Sequence, residues 1–182
     1  MNPKEMNLYS GLCVDPTTMG PDDVTLVDIA HPLSLLCRGV GQVKFFFSVA
    51  QHSMNCAKEA AARGYDPDVQ LACLLHDAGE AYCSDVISPI KRRLDVYRKI
   101  EKHVQRQVLI HFGVVDVLDS DRWNYVRDID HAMFTHEAIT LFTDAGDLAL
   151  EPLAAPVDIS FHPFQEVENE FTQMCKELQE KL

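Results

Sequence analysis

Four ionisable side chains crowd one short stretch of this sequence. His76 and Asp77 are adjacent, Glu80 lies three residues on, and Asp85 five after that. Their frame is apolar: Leu71, Leu74, Leu75 and Ala78 recur at the i, i+3, i+4, i+7 spacing of a helix with one buried face. Charged groups beside a buried stripe are costly unless something satisfies them. A metal ion, a phosphate or a proton in transit would do so.

The surrounding elements supply partners. Ser48-Val-Ala-Gln51 reads as a capping box, starting a helix that Gly64 stops. Val49, His52, Cys56 and Ala60 share one face of it, while Lys58, Glu59 and Arg63 face away, so His52 points inward. Asp66-Pro67 restarts the chain as N-cap and first residue of the helix carrying His76 and Asp77. Ser88-Pro89 ends the loop after it. Residues 95–112 predict a long helix with Tyr97, Ile100, Val104, Val108 and Phe112 inside, and His103 and His111 beside that stripe as structural or solvated groups. Residues 121–143 predict another, with Trp123, Val126, Met133 and Leu141 buried. Asp130 and Glu137 fall on that same stripe; Asp128 and His131 do not. An aspartate forced into an apolar face needs a partner.

The remaining segments complete the frame. Residues 1–24 read as loops or short strands, and residues 26–37 as a short helix with His31-Pro32 in its first turn. Arg38-Gly39-Val40-Gly41 breaks that helix. Residues 144–156 form a loop, and Phe164, Val167, Phe171, Met174 and Leu178 mark a closing helix at 163–181. Strand signals are weak. The expected architecture is an all-α bundle of five to seven helices in one domain spanning 1–182, its motif-bearing core at about 26–143.

Composition narrows the function classes. The chain has 182 residues, enough for one proper core, and 47% of them are hydrophobic. A net charge of −12 argues against binding a nucleic-acid polymer, which needs a basic surface. It leaves room for a small phosphorylated ligand held by a local metal and a few basic side chains. No apolar run reaches the ~18 residues of a membrane span. The N-terminus shows no apolar signal core, so the expected location is cytoplasmic. Six scattered cysteines without a CxxC pair fit reduced, mostly buried thiols.

His52, His76, Asp77 and Asp130 together make a mixed nitrogen and oxygen ligand set drawn from three helices. Such a set suits one divalent transition metal (Mn, Co, Zn, Ni or Fe) better than Ca²⁺, which prefers oxygen alone. Bundle cores can build sites of this kind from facing helices. The plain alternative is a core whose histidines are satisfied by their neighbours.

The order Ser48-Val-Ala-Gln-His52, Leu-Leu-His76-Asp77-Ala-Gly-Glu80, Val126-Arg-Asp-Ile-Asp130 resembles the H…HD…D signature of the HD-domain metal-dependent phosphohydrolases. His76-Asp77-Ala-x-Glu80, followed by Asp85, Pro89 and Lys91, is similar to the bacterial 5′-deoxynucleotidase branch. Arg38, fourteen residues before His52, resembles that branch's phosphate-contacting arginine in placement. Gly39 departs from the branch, which commonly has a bulky aromatic there. The resemblance covers residues 38–130, about half the chain.

It implies an HD-domain bundle that removes phosphate from deoxynucleoside 5′-monophosphates through a metal-activated water. His52, His76, Asp77 and Asp130 would hold the metal, Glu80 and Asp85 would handle water and protons, and Arg38 and Lys91 would hold phosphate oxygens. For Lys91 the alternative is a solvated member of Lys91-Arg92-Arg93. Glu137 would brace the site or pair with a buried base. Ser84 and His31 stand at the margin of this expectation. Hydrolysis of deoxynucleoside triphosphates is the second reading, and a non-catalytic module binding metal and nucleotide the third. The small-residue faces are compatible with a homodimer.

Overall fold

A computed structural model describes residues 5–182. These form an all-α bundle with one small hairpin at the start, β1 (Met6–Asn7) against β2 (Cys13–Val14), antiparallel. The helices are α1 (Val27–Leu35), α2 (Val49–Ala62), α3 (Pro67–Leu75), α4 (Glu80–Cys83), α5 (Ser88–Lys91), α6 (Asp95–His111), α7 (Val115–Leu118), α8 (Trp123–Leu141) and α9 (Phe164–Gln179). Six of these helices have nine residues or more. Three are single turns of four residues, too short for periodicity to reveal. Among the described residues no helix is long and apolar enough to cross a membrane.

Helices α2 and α3 form the centre. α2 packs on α1, α3, α8 and α9, and α3 on α6, α7, α8 and α9. Wrapped this way, α3 buries Leu71, Ala72, Cys73, Leu74 and Leu75 completely, all faces rather than the single one its spacing suggests. α2 begins as expected: the Ser48 hydroxyl accepts from the Gln51 amide N–H, and the Gln51 side chain reaches back to the Ser48 amide. Gly64 ends it with φ +78°.

Three long polar residues of α2 also turn inward, where each finds a partner. Gln51, Asn55 and Glu59 recur every four residues on one stripe. The side-chain amides of Gln51 and Asn55 donate to the carbonyls of Ser160 and Asp158. Glu59, expected to face away, is fully buried and accepts from the amides of Ala154 and Ala155 and from Arg63. This ladder holds the loop between α8 and α9 on the bundle. Periodicity missed it because the stripe packs against irregular chain, not another helix.

Two boundaries differ from expectation. Pro32 is the sixth residue of α1, well past its first turn, and removes one rung of that helix. α3 stops at Leu75, so His76 and Asp77 lie in the turn that follows, not on the helix. There the chain tightens, with Ala78 N–H on the Leu75 carbonyl and Glu80 N–H on that of Asp77. Gln105 of α6 clamps this turn, donating to the Leu75 carbonyl and accepting from Gly79 N–H, each at 2.8 Å. A Cβ on Gly79 would lie 3.2 Å from the Gln105 Oε1.

Candidate metal centre and its cleft

The three central elements bring their polar groups to one point. α2 contributes His52, the α3–α4 turn His76 and Asp77, and α8 Asp130. His52 Nε2 lies 3.3 Å from His76 Nε2 and 3.1 Å from Asp130 Oδ1. Asp77 Oδ2 is 3.3 Å from His76 Nε2 and 3.9 Å from His52 Nε2. Atoms bound to one ion at about 2.0–2.3 Å must stand about 3–4 Å apart. The two imidazole nitrogens meet that condition with each other and with both carboxylates, His76 Nε2 lying 3.6 Å from Asp130 Oδ1.

The far nitrogens fix the orientation of both rings. His52 Nδ1 donates to Glu137 Oε1 at 2.9 Å, and His76 Nδ1 to the Cys73 carbonyl at 2.7 Å. Both Nε2 lone pairs therefore face the centre, as metal-ligating histidines require. Glu137 is 2% exposed, so it serves this role away from water.

One neighbour was not anticipated. Cys56 places Sγ 3.6 Å from His52 Nε2, one helical turn along α2. His52, Cys56 and His76 form a group that could hold a metal ion. Its signal was in the sequence, since Cys56 shares His52's face at i+4. Burial, then Asp130 and Glu137, push the Cys56 thiol well above the ordinary range.

The charges are strongly coupled. Burial and Arg38 oppose protonation of His52, yet Glu137 and Asp130 outweigh them and raise its pKa. Burial opposes protonation of His76 too, and Asp77 and Asp130 raise it well above the ordinary value. Burial acts against ionised Asp77 and Asp130, but the imidazoles hold both below the usual carboxylate range. Without a cation, two lone pairs and several carboxylates share this small volume, and protons take up the mismatch.

Arg38 sits on the same charges, with Nη1 3.5 Å from Asp77 Oδ2 and Nη2 3.6 Å from Glu137 Oε2. These long contacts leave donors of its fork available. Glu80 is buried, its Oε1 3.5 Å from Lys91 Nζ and its Oε2 without a hydrogen-bond partner. Burial, then Asp77 and Asp85, raise its pKa well above the usual carboxyl value. Lys91 is not simply solvated: its Nζ lies 2.6 Å from Glu101 Oε1. Glu101, on α6, carried no signal in the sequence. Asp85 lines the cleft, with Arg38, Asp77, Glu80, Lys91 and Asp130. That cleft measures about 630 Å³, and a second of about 590 Å³ opens beyond Asp77, Glu80 and Lys91 toward α6.

Other candidates lie elsewhere. His31 pairs with Glu168 at 2.9 Å and stacks on Tyr9. His103 and His111 bond the carbonyls of Met19 and Pro21, fastening the N-terminal segment to α6. Ser84, with φ +69°, offers its carbonyl to the Tyr97 hydroxyl. The cysteines are all free, and three of them are buried.

The fold and site thus define an all-α protein whose centre could hold a metal ion beside an open cleft. No family model matches the chain. It is 33% identical over 140 residues to the uncharacterized protein RCAP_rcc00048 of Rhodobacter capsulatus, a match covering 72% of this chain and 69% of that protein. It is likewise 33% identical over 125 residues to the uncharacterized protein YfdR of Escherichia coli (strain K12), covering 69% of this chain and 65%, just under two thirds, of that protein. The chain belongs to the family of the Rhodobacter protein.

Proposed function

We propose that this chain is an HD-domain metal-dependent phosphohydrolase that removes phosphate from deoxynucleoside 5′-monophosphates. One observation carries the reading. Two imidazole nitrogens lie within 3.1–3.9 Å of each other and of two carboxylate oxygens, beside a half-buried arginine that lines a cleft.

His52, His76, Asp77 and Asp130 would hold one divalent transition metal, with Cys56 against the same point. When bound, such a metal supplies Lewis acidity and acidifies water near neutral pH. The protein's own groups do the rest. Arg38, held by Asp77 and Glu137, presents a fork that matches phosphate oxygens. Lys91, held by Glu101, adds a point charge on the same side of the cleft. Glu80, its pKa raised by burial and neighbouring carboxylates, is suited to give a proton to the leaving oxygen. Asp85 lines the mouth, where it can take a proton or a sugar hydroxyl.

A second reading, hydrolysis of deoxynucleoside triphosphates, is favoured by the second cleft. It shares Lys91 with the first cleft and is lined by Lys102 and Arg106 among carboxylates, giving room for a longer phosphate chain.

The test is release of phosphate or tripolyphosphate from ribo- and deoxynucleotides with Mn²⁺, Co²⁺, Zn²⁺ or EDTA. Metal-dependent phosphate release from deoxynucleoside monophosphates, lost in Asp77→Ala, supports the first reading. Tripolyphosphate release moves the assignment to the second. Nucleotide binding without hydrolysis under any metal leaves a binding module and rejects both.

A further inference from the structure

The cleft lining mixes charged and apolar groups. Arg38, Lys91 and the carboxylates share it with Val43, Val86, Ile87, Phe134, Leu141 and Phe142. Phe134 and Phe142 meet edge to face, ring centroids 6.3 Å apart at 61°. Phe134 stays 38% exposed, a large fraction for a phenyl ring, and its open surface belongs to the cleft.

The backbone makes room for this wall. Gly39 adopts φ +59°, and a Cβ there would lie 3.3 Å from Phe142 Cε1. The left-handed twist and the close ring both call for glycine. The Phe142 ring is thereby seated directly beside Arg38 in the chain. Asp130 and Phe134 are one turn apart on α8, about 6 Å along its axis.

We infer that Phe134 and Phe142 form a stacking subsite for the planar base of a nucleotide whose phosphate lies at Arg38 and Lys91, an inference that rests on the phosphohydrolase reading. An occupant satisfying both kinds of lining must carry an anionic group and an apolar one. The exposed face of Phe134, buttressed by Phe142, is a flat, electron-rich surface, which a heterocyclic base fits better than a flexible alkyl chain.

The experiment compares deoxynucleoside monophosphates with 2-deoxyribose 5-phosphate, which lacks the base, in wild type, Phe134→Ala and Phe134→Tyr. Phe134 is exposed, so its truncation spares the core. Stacking on an aromatic predicts a KM rise of about fivefold or more for nucleotides in Phe134→Ala. The sugar phosphate should be unaffected, and Phe134→Tyr should restore the nucleotide KM. Equal effects on both substrates, or none, overturn the subsite. If wild type hydrolyses neither, the catalytic reading fails separately. Saturation-transfer NMR on deoxyadenosine monophosphate then decides the subsite: base-proton signals lost in Phe134→Ala support it, and their absence in wild type overturns it.

Discussion

His52 and Glu137 are joined through His52 Nδ1 at 2.9 and 3.0 Å, both groups buried, one on α2 and the other on α8. The bond settles which imidazole nitrogen faces the centre. It also ties two helices together at the site. Glu137 bears on Arg38 as well, so one carboxylate aligns a candidate metal ligand and the arginine proposed to hold phosphate. Glu137→Gln keeps the shape but weakens this alignment. Metal affinity, titrated by competition with a chelating dye, should fall about 10–100-fold, the usual loss when a ligand's outer partner is changed. Unchanged affinity would remove Glu137 from the site's support.

Gln105 should matter far beyond its position on α6. It clamps the turn carrying His76 and Asp77 from outside, through one donated and one accepted bond. Gln105→Leu leaves the Leu75 carbonyl and Gly79 N–H without it. The cost should be about 1–3 kcal/mol by urea denaturation, chiefly for the Gly79 N–H, since the Leu75 carbonyl keeps its bond from the Ala78 N–H. Metal binding should weaken in parallel. A fully stable variant with weak metal binding would mean the clamp orders only the turn.

The pH dependence should change sign with metal. His52 and His76 have raised pKa values in the folded state, so their protonation stabilises the metal-free fold. That contribution is complete below the unfolded value of about 6.5 and lost as pH rises through the folded values. Metal requires both imidazoles neutral, so its binding releases protons and strengthens as pH rises. Thermal unfolding in EDTA should therefore show declining stability as pH rises above about 6.5, and metal-loaded protein the opposite trend. Parallel curves with and without metal would exclude these histidines as ligands.

Glu59 gives an independent test of the fold. Its buried carboxylate accepts from two loop amides and Arg63, which together lower its pKa against the opposing effect of burial. Glu59→Ala should cost about 2–4 kcal/mol at neutral pH, for loss of charge-assisted bonds and exposure of their donors. The contribution exists above the unfolded pKa of about 4.3 and fades as pH falls through the folded value. Wild type and variant should therefore converge in acid. A constant gap across pH would assign the loss to packing instead.

The sequence by itself determined the helical class, the long helices and the residues that converge. Apolar spacing marks a buried face wherever a helix packs on helices, and it put His52, Asp130 and Glu137 on inward stripes. It could equally have placed Cys56 at the centre, since that residue shares His52's face. Tertiary structure alone decided the rest. The turn at His76, the Gln105 clamp, the Lys91–Glu101 pair and the Glu59 ladder join residues 26, 10 and up to 96 positions apart. Their chemistry is ordinary, and no local period records it. The aromatic wall is of the same kind: Gly39 shows in sequence only as a helix breaker, and its meaning comes from the Phe142 ring that α8 brings against it. Spacing along one chain reports how each element faces the core. Which polar groups meet across that core depends on how the elements pack.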